Sequence, residues 1–247
     1  PTMPSSREKL QPFSEHLSEL RSRLLSSVVL FIIGTIVGYL LHERILALLV
    51  APLGQPVFYS SPAGGFDFLI KLSFLFGLAI SIPALVFHTL RFIEPALPPQ
   101  SPRKTLLVLV SSCLLLIAGV LFAYFVSLPA ALYFLGSFTS DGVQALISAS
   151  DYFAFVTRYL LGFGLLFQLP LVLLVVNSVQ PISTRKLLGF EKWVVLLSFI
   201  VAAVLTPTPD IFNQLLMALP LIVLYQITVV LVWLVNSRAR QVHGKID

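Results

Sequence analysis

Acidic and basic side chains lie close together near the start of the chain, where they could bind a charged ligand. Glu15, Glu19 and Arg23 are spaced by four residues, and the apolar residues at positions 13, 17, 20 and 24 share a second helix face. The pattern predicts an amphipathic helix within residues 1–23. On pattern alone this helix lies at a membrane interface and carries a Glu19–Arg23 pair worth about 0.3–0.5 kcal/mol.

A second carboxylate, Glu94, directly precedes Pro95. Proline disfavours helix in the residue before it, so a helix is expected to end here. The helix dipole opposes a carboxylate at a helix carboxyl terminus, which favours a cationic partner for Glu94. The alternative is a solvated helix end.

Other polar residues lie in or beside apolar runs. Gln168, two residues before Pro170, either faces another protein group within the membrane or satisfies a carbonyl freed by the proline. Asp210 is expected to cap the last helix. Asp67 and Lys71, four residues apart, are expected to pair.

Sequence motifs for catalysis are missing. The four histidines (16, 42, 88 and 243) are too scattered for a metal site, and Cys113 is the only cysteine. The sequence therefore predicts no enzymatic activity, no metal and no cofactor.

The composition is that of an integral membrane protein. Hydrophobic residues make up 57% of the 247 residues and charged residues only 11%, against about 25% charged in soluble domains. A hydrocarbon core of about 30 Å needs about 20 helical residues, and continuous apolar runs favour helices over a barrel. We predict one all-α domain over residues 1–247 with six spans: Leu24–Leu41, Leu72–Leu90, Thr105–Leu128, Tyr159–Val176, Trp193–Leu205 and Leu215–Val235.

The fifth run and two of the connections are unusual. Trp193–Leu205 would form only about 20 Å of helix, which predicts local thinning of the bilayer. The connections His42–Gly65 and Pro129–Asp151 contain apolar residues, and we expect short helices or caps on the outer surface.

The basic residues predict the orientation. Thirteen of the 16 Lys and Arg fall before the first span, in the second and fourth connections and in the tail at 236–247. The opposite side has only Arg44, and the remaining two, Lys71 and Arg158, lie at or near span ends. By the positive-inside rule both termini are cytoplasmic, in a multi-pass protein of the cell (inner) membrane. The basic charge thus reflects topology and contact with the lipid bilayer, and no nucleic acid is expected as a partner.

The order of short motifs along nearly the whole chain resembles the TatC family, the multi-spanning receptor subunit of the twin-arginine protein translocase. Each motif is weak alone, but together and in order they are specific. The matching segments are His16–Arg23, Ala51–Leu53, Ile70–Leu72, Ser81–Pro83, Phe92–Leu97, Phe122–Phe125, Phe163–Pro170 and Thr206–Asp210.

This resemblance implies a curved, glove-like bundle that binds signal peptides with two consecutive arginines. With TatA-type and TatB-type single-span partners, and with other TatC copies, it would export folded precursor proteins by using the proton motive force. In the family, an acid matching Glu19 and an acid in the first cytoplasmic loop receive the arginine pair. Here Ser101 occupies the position of the loop glutamate, and Glu94 is our candidate substitute.

The resemblance also implies roles for further residues. The signal-peptide site would include His16, Arg21, Arg23 and Phe92. Gln168 and Pro170 would contribute to a site for a partner helix, and Pro52, Asp210 and Gln214 to functional outer loops.

Two other classes of protein fit the composition. A proton-coupled small-molecule transporter would also place polar residues on a membrane pathway, but Gln168 cannot titrate and no internal repeat is visible. A structural scaffold for another membrane complex is the third interpretation.

Overall fold

The computed structural model describes residues 13–59, 61–93, 102–138, 146–206 and 210–243. Helices dominate these residues, and the only β pairing among them is an isolated bridge between Phe58 and Ser148. The helices are α1 (Phe13–Leu40), α2 (His42–Val50), α3 (Gly64–Ile93), α4 (Pro102–Phe122), α5 (Leu128–Gly136), α6 (Ala149–Leu166), α7 (Leu169–Val179), α8 (Thr184–Leu205) and α9 (Ile211–His243). The predicted all-α class is confirmed.

Five helical stretches are long and apolar enough to cross a membrane: Gly64–Thr89, Leu106–Gly136, Ala149–Val179, Thr184–Leu205 and Ile211–Ser237. A sixth is the bent pair of Leu25–Leu40 with His42–Leu53, which turns by 77°. The second stretch joins α4 to α5 through a π-helical turn at Ala123–Ser127, and the third joins α6 to α7. Six predicted spans therefore correspond to six apolar stretches.

Several helices extend beyond the predicted spans because they continue through polar residues. Helix α6 begins at Ala149, ten residues before the predicted start of the fourth span at Tyr159, and its first turns include Asp151. Helix α8 has 22 residues, about 33 Å at 1.5 Å per residue, instead of the predicted 13. The apolar run beginning at Trp193 is the second part of this helix, so the helix itself is not too short to cross the bilayer.

Helices α1 and α3 pack antiparallel with very close backbones. A Cβ added at Gly34 would lie 2.9 Å from the Cα of Gly77, and one added at Gly38 would lie 2.8 Å from the Cβ of Phe76. Small residues permit this approach, which allows helices to associate by van der Waals packing where lipid already surrounds apolar side chains.

The main core surrounds α6. The side chains of Val156, Tyr159 and Phe163 are fully buried on it, and Met217 of α9 belongs to the same cluster. A Cβ at Gly119 of α4 would lie 2.6 Å from the carbonyl oxygen of Phe163, so α4 also packs closely on α6. Helix α6 therefore positions the surrounding spans.

A second, smaller core joins α7, α8 and α9. The hydroxyl of Tyr225 donates a hydrogen bond to the carbonyl oxygen of Leu187 at 2.7 Å, and Asn177 Nδ2 donates to Asn236 Oδ1 at 2.9 Å. Buried polar groups in a bilayer need such partners, so these bonds fix the end of the bundle where α7 and α9 finish.

Short helices occur in both regions predicted as long connections, although α5 continues the apolar stretch Leu106–Gly136 and is not a separate cap. Residues 42–53 form α2 and a 3-10 turn, Ala51–Leu53, while residues 128–136 form α5. Tyr124 and Tyr152 donate hydrogen bonds to the carbonyl oxygens of Leu48 (2.7 Å) and Leu49 (2.6 Å), and these two bonds hold α2 on the bundle.

Candidate functional site

The residues predicted to bind a signal peptide begin in α1. Helix α1 runs without a break from Phe13 to Leu40, so the predicted amphipathic segment is continuous with the first span and is not a separate interfacial helix. His16, Glu19 and Arg23 lie within its first three turns, and the side chain of Arg21 is exposed. The side chains of His16, Glu19 and Arg23 lie outside the described part of the structure, so the Glu19–Arg23 pair remains a prediction.

A hydrogen bond between α1 and α3 establishes which residues share this end of the bundle. The hydroxyl Oγ of Ser26 and Nε2 of His88 are 2.9 Å apart. Because the helices are antiparallel, the turns of α1 before Ser26 lie beside the turns of α3 after His88. Glu19 is seven residues before Ser26, and Phe92 is four residues after His88.

The described part of α3 extends to Ile93, and the helix end expected before Pro95 lies outside the described residues. Phe92 belongs to the last turn of α3, while Glu94 and Ser101 lie outside the described residues. The structure therefore brings the backbone of Glu19 to the same end as the segment that leads to Glu94.

His88 is a residue that the sequence analysis missed. It was considered only as an unsuitable metal ligand, whereas it lies one turn from Phe92 and contacts Phe87 edge-on at 5.6 Å. The sequence signal for His88 was its polar side chain near the end of an apolar run, where a polar residue needs a hydrogen-bonding partner. Its partner Ser26 lies 62 residues away, which no local pattern specifies.

Gln168 lies at the break between α6 and α7 and is 2% exposed. Its Oε1 accepts a 2.6 Å hydrogen bond from the Ser112 hydroxyl, and its Nε2 donates to the carbonyl oxygens of Ser112 (3.2 Å) and Gly164 (3.4 Å). The backbone N–H of Gln168 donates to Leu165 instead of Gly164, so the side chain satisfies a carbonyl that the break leaves free.

The role of Gln168 in a partner-helix site stays a prediction, but the structure shows where its side chain points. The amide of Gln168 is directed into the chain, towards α4, and is not presented on an accessible face. Its neighbours Leu165 and Leu169 are exposed, at 56% and 43%. Pro170 is buried in the first turn of α7, where its missing N–H leaves no intrahelical bond unmade.

The residues predicted for the outer loops lie at the end of the bundle opposite Glu19. Asp210 caps α9 as expected, with Oδ1 accepting from the Asn213 backbone N–H at 2.7 Å and Oδ2 accepting from the Asn213 side chain at 2.9 Å. Gln214 Nε2 donates to the carbonyl oxygen of Phe199 at 3.0 Å and so links α9 to α8. Pro52 lies in the 3-10 turn that follows α2.

The predicted functional residues thus form three groups and not one cluster. Glu19, Arg21 and Phe92 belong to one end, Gln168 and Pro170 to the interior, and Pro52, Asp210 and Gln214 to the opposite end. Within the described ranges no three His, Cys, Asp or Glu residues are grouped in a way that could hold a metal ion.

Comparisons with known proteins identify the family. A family model described as "Sec-independent protein translocase protein (TatC)" matches residues 15–220. The chain is 34% identical to the protein of that name from Aquifex aeolicus, over 94% of this chain and 98% of the relative. It is also 34% identical to the one from Desulforapulum autotrophicum, over 92% of this chain and 86% of the relative.

A solved structure gives the same result. The crystal structure described as that of the twin arginine translocase receptor TatC superposes with a TM-score of 0.78 at 34% identity, covering 90% of this chain and 99% of the other. The fold, the order of motifs and the relatives agree, and they favour a translocase component over a small-molecule transporter. The chain belongs to the TatC family and is a multi-pass membrane component of the Sec-independent, twin-arginine protein translocase.

Proposed function

We propose that this chain is the receptor for twin-arginine signal peptides and that Glu19 binds the arginine pair. The observation that carries the proposal is the Ser26–His88 contact, because it aligns the early turns of α1 with the last turns of α3. Guanidinium groups bind carboxylates through paired, charge-assisted hydrogen bonds that an ammonium group cannot reproduce. A carboxylate on a rigid helix is therefore suited to selecting arginine.

Glu94 is proposed as the second acid. It follows directly on α3, whose end lies beside the helix that carries Glu19, and Ser101 cannot accept an arginine as a carboxylate does. Phe92 and His16 would contribute apolar and polar contacts to the peptide. Arg21 and Arg23 would disfavour peptides with the wrong arrangement of cations.

The signal-peptide site would face the cytoplasm. Thirteen of the 16 Lys and Arg belong to the side that carries both termini, and the positive-inside rule places that side in the cytoplasm. Folded precursor proteins would then pass outward with TatA-type and TatB-type partners, with other copies of the chain, and with the proton motive force as the energy source.

A partner's single span would dock at the break between α6 and α7. Leu165 and Leu169 expose apolar surface on either side of Gln168, which itself is buried. Gln168 and Pro170 would act by holding this break in shape, and a partner helix would pack on the leucines. On the opposite end, Pro52, Asp210 and Gln214 would keep α2, α8 and α9 in place.

Site-specific crosslinking tests the receptor assignment. A photoreactive residue replacing Leu17, Leu20 or Phe92 should crosslink to a bound signal peptide through its twin-arginine region. The matched control is a photoreactive residue at Leu48 of α2, at the opposite end, which should give no such product. Crosslinks from Leu48 and none from positions 17, 20 and 92 would overturn the proposal.

A further inference from the structure

A groove with a volume of about 540 Å³ lies between α3 and α6 in the half of the bundle where both helices begin. Its walls are mainly apolar and include Phe31, Phe74, Leu78 and Leu161. On α3 the lining runs from Phe68 to Leu78, a rise of about 15 Å, or half of a hydrocarbon core of about 30 Å. The groove therefore has the length of one leaflet.

Polar groups occur along the groove as well. Lys71, Ser150 and Thr157 contribute to its lining, and Lys71 Nζ is paired with Asp67 Oδ2 at 2.6 Å. This ion pair balances the charge of Lys71. The lining consequently combines an apolar channel with hydrogen-bonding groups near the membrane surface.

An arginine at the edge of this groove carries a charge that no carboxylate among the described residues balances. Arg158 is exposed and lies one helical turn from Ala154 and from Leu161, both of which line the groove. It is nine residues into a membrane-spanning stretch, about 13 Å from the start of α6. Among the described residues no carboxylate lies within 4 Å of its guanidinium group.

Asp151, on the same exposed side of α6, does not supply the missing anion. It lies in the first turn, about 10 Å nearer the start of the helix than Arg158, where the helix dipole already favours a carboxylate. Side chains on a helix lean towards its amino terminus, so Arg158 reaches from the apolar region towards the near membrane surface. Phosphate groups lie at that surface, in the direction in which Arg158 leans.

We propose that this groove binds an anionic phospholipid of the adjacent leaflet. One acyl chain would lie between Phe74, Leu78 and Leu161, and the phosphodiester would accept hydrogen bonds from the guanidinium of Arg158 and from the Lys71 ammonium. A lipid with a net charge of −1 matches the charge of Arg158. The arrangement would give this cation an anionic partner that none of the described residues supplies.

Lipid binding to the purified full-length chain tests this proposal. Native mass spectrometry would titrate phosphatidylglycerol and phosphatidylcholine against the wild type, Arg158→Gln and Arg44→Gln. Arg44 is a matched control because it is an exposed arginine of α2, outside the groove lining. We expect the wild type to prefer phosphatidylglycerol, Arg158→Gln to lose about tenfold in affinity for it, and Arg44→Gln to change by less than twofold.

Variants of the groove separate lipid binding from a simple surface charge effect. Ala154→Phe and Thr157→Leu fill the lining but keep Arg158, and both should also lower the affinity for phosphatidylglycerol. The proposal fails if Arg158→Gln binds phosphatidylglycerol as the wild type does, or if phosphatidylcholine binds equally well. It also fails if the groove variants keep full lipid binding. If they keep lipid binding and instead abolish a dimer of the chain, the groove binds a second copy and not a lipid.

Discussion

Gln168 illustrates, at the scale of single residues, how a polar group can be both predicted and misjudged. The sequence identifies an amide deep in an apolar run, and the structure shows that this amide joins α6 to α4 through Ser112. The position of Gln168 was predictable because polar residues are rare there. Its hydrogen-bonding partner was not predictable, because Ser112 lies 56 residues earlier and serine is common in membrane helices.

We expect Gln168→Leu to reduce stability because it leaves the Ser112 hydroxyl and the Gly164 carbonyl without their partner. Interhelical hydrogen bonds in membranes are worth about 0.6–2 kcal/mol, so the loss should appear as a lower midpoint of thermal unfolding in detergent. Gln180→Leu, at an exposed position after α7, is the matched control and should have little effect. In a Ser112→Ala background the effect of Gln168→Leu should shrink, and additive effects would contradict the assigned bond.

The packing of α1 on α3 is the clearest feature at the scale of helices. The close approach of the two backbones depends on Gly34, Gly38 and Gly77. No periodic pattern in the sequence predicts which residues these glycines contact. The sequence predicted both helices from their apolar runs but not that they would pack through glycines. Local periodicity defines which face of a helix is apolar and leaves open which neighbour covers it.

Gly77→Ala should destabilise the α1–α3 pair. Its Cβ would collide with Thr35 Oγ1 and would lie 2.6 Å from the carbonyl oxygen of Phe31, so backbone must move, at a cost of about 1–3 kcal/mol. Gly189→Ala in α8 is the control, because no atom lies within 4 Å of the added Cβ and alanine favours helix. Thermal unfolding should show a lower midpoint for the first variant only, and equal midpoints would contradict the close packing.

The extended helix starts show the limit of prediction from hydropathy. Asp151 and Arg158 interrupt the apolar pattern before Tyr159, so hydropathy places the start of the fourth span ten residues after the start of helix α6. Both residues are exposed, and the helix continues through them because its opposite face, with Tyr152 and Phe155, is buried in the main core. Helix α8 is extended for the same reason, with Leu187 of its polar first turns buried against α9.

The whole molecule is an α-helical membrane bundle, and its predicted orientation rests on its charges. The described helices and the six apolar stretches agree with the predicted all-α architecture, and thirteen of 16 basic residues belong to the side predicted to be cytoplasmic. Composition alone was sufficient for the class, because 11% charged residues cannot cover the surface of a soluble domain of this size.

Cysteine labelling tests the predicted orientation. In a Cys113→Ala background, a single cysteine replacing Gln55 should react with an impermeant reagent added outside intact cells, whereas one replacing Gln180 should react only after the membrane is opened. Both positions are exposed and lie in connections on opposite sides of the bundle. The reverse pattern would contradict cytoplasmic termini.

The central claim is that the acid on α1 selects the arginine pair, and the affinity of the purified chain for twin-arginine and twin-lysine signal peptides tests it most directly. Loss of a charge-assisted pair should weaken binding by about 10- to 150-fold, so Glu19→Ala should abolish the preference for arginine. Glu43→Ala, an exposed acid of α2 at the opposite end, is the control and should retain it. Glu94→Ala should show a smaller loss that Ser101→Glu restores. If Glu19→Ala keeps the full preference for the arginine pair, the receptor assignment is wrong.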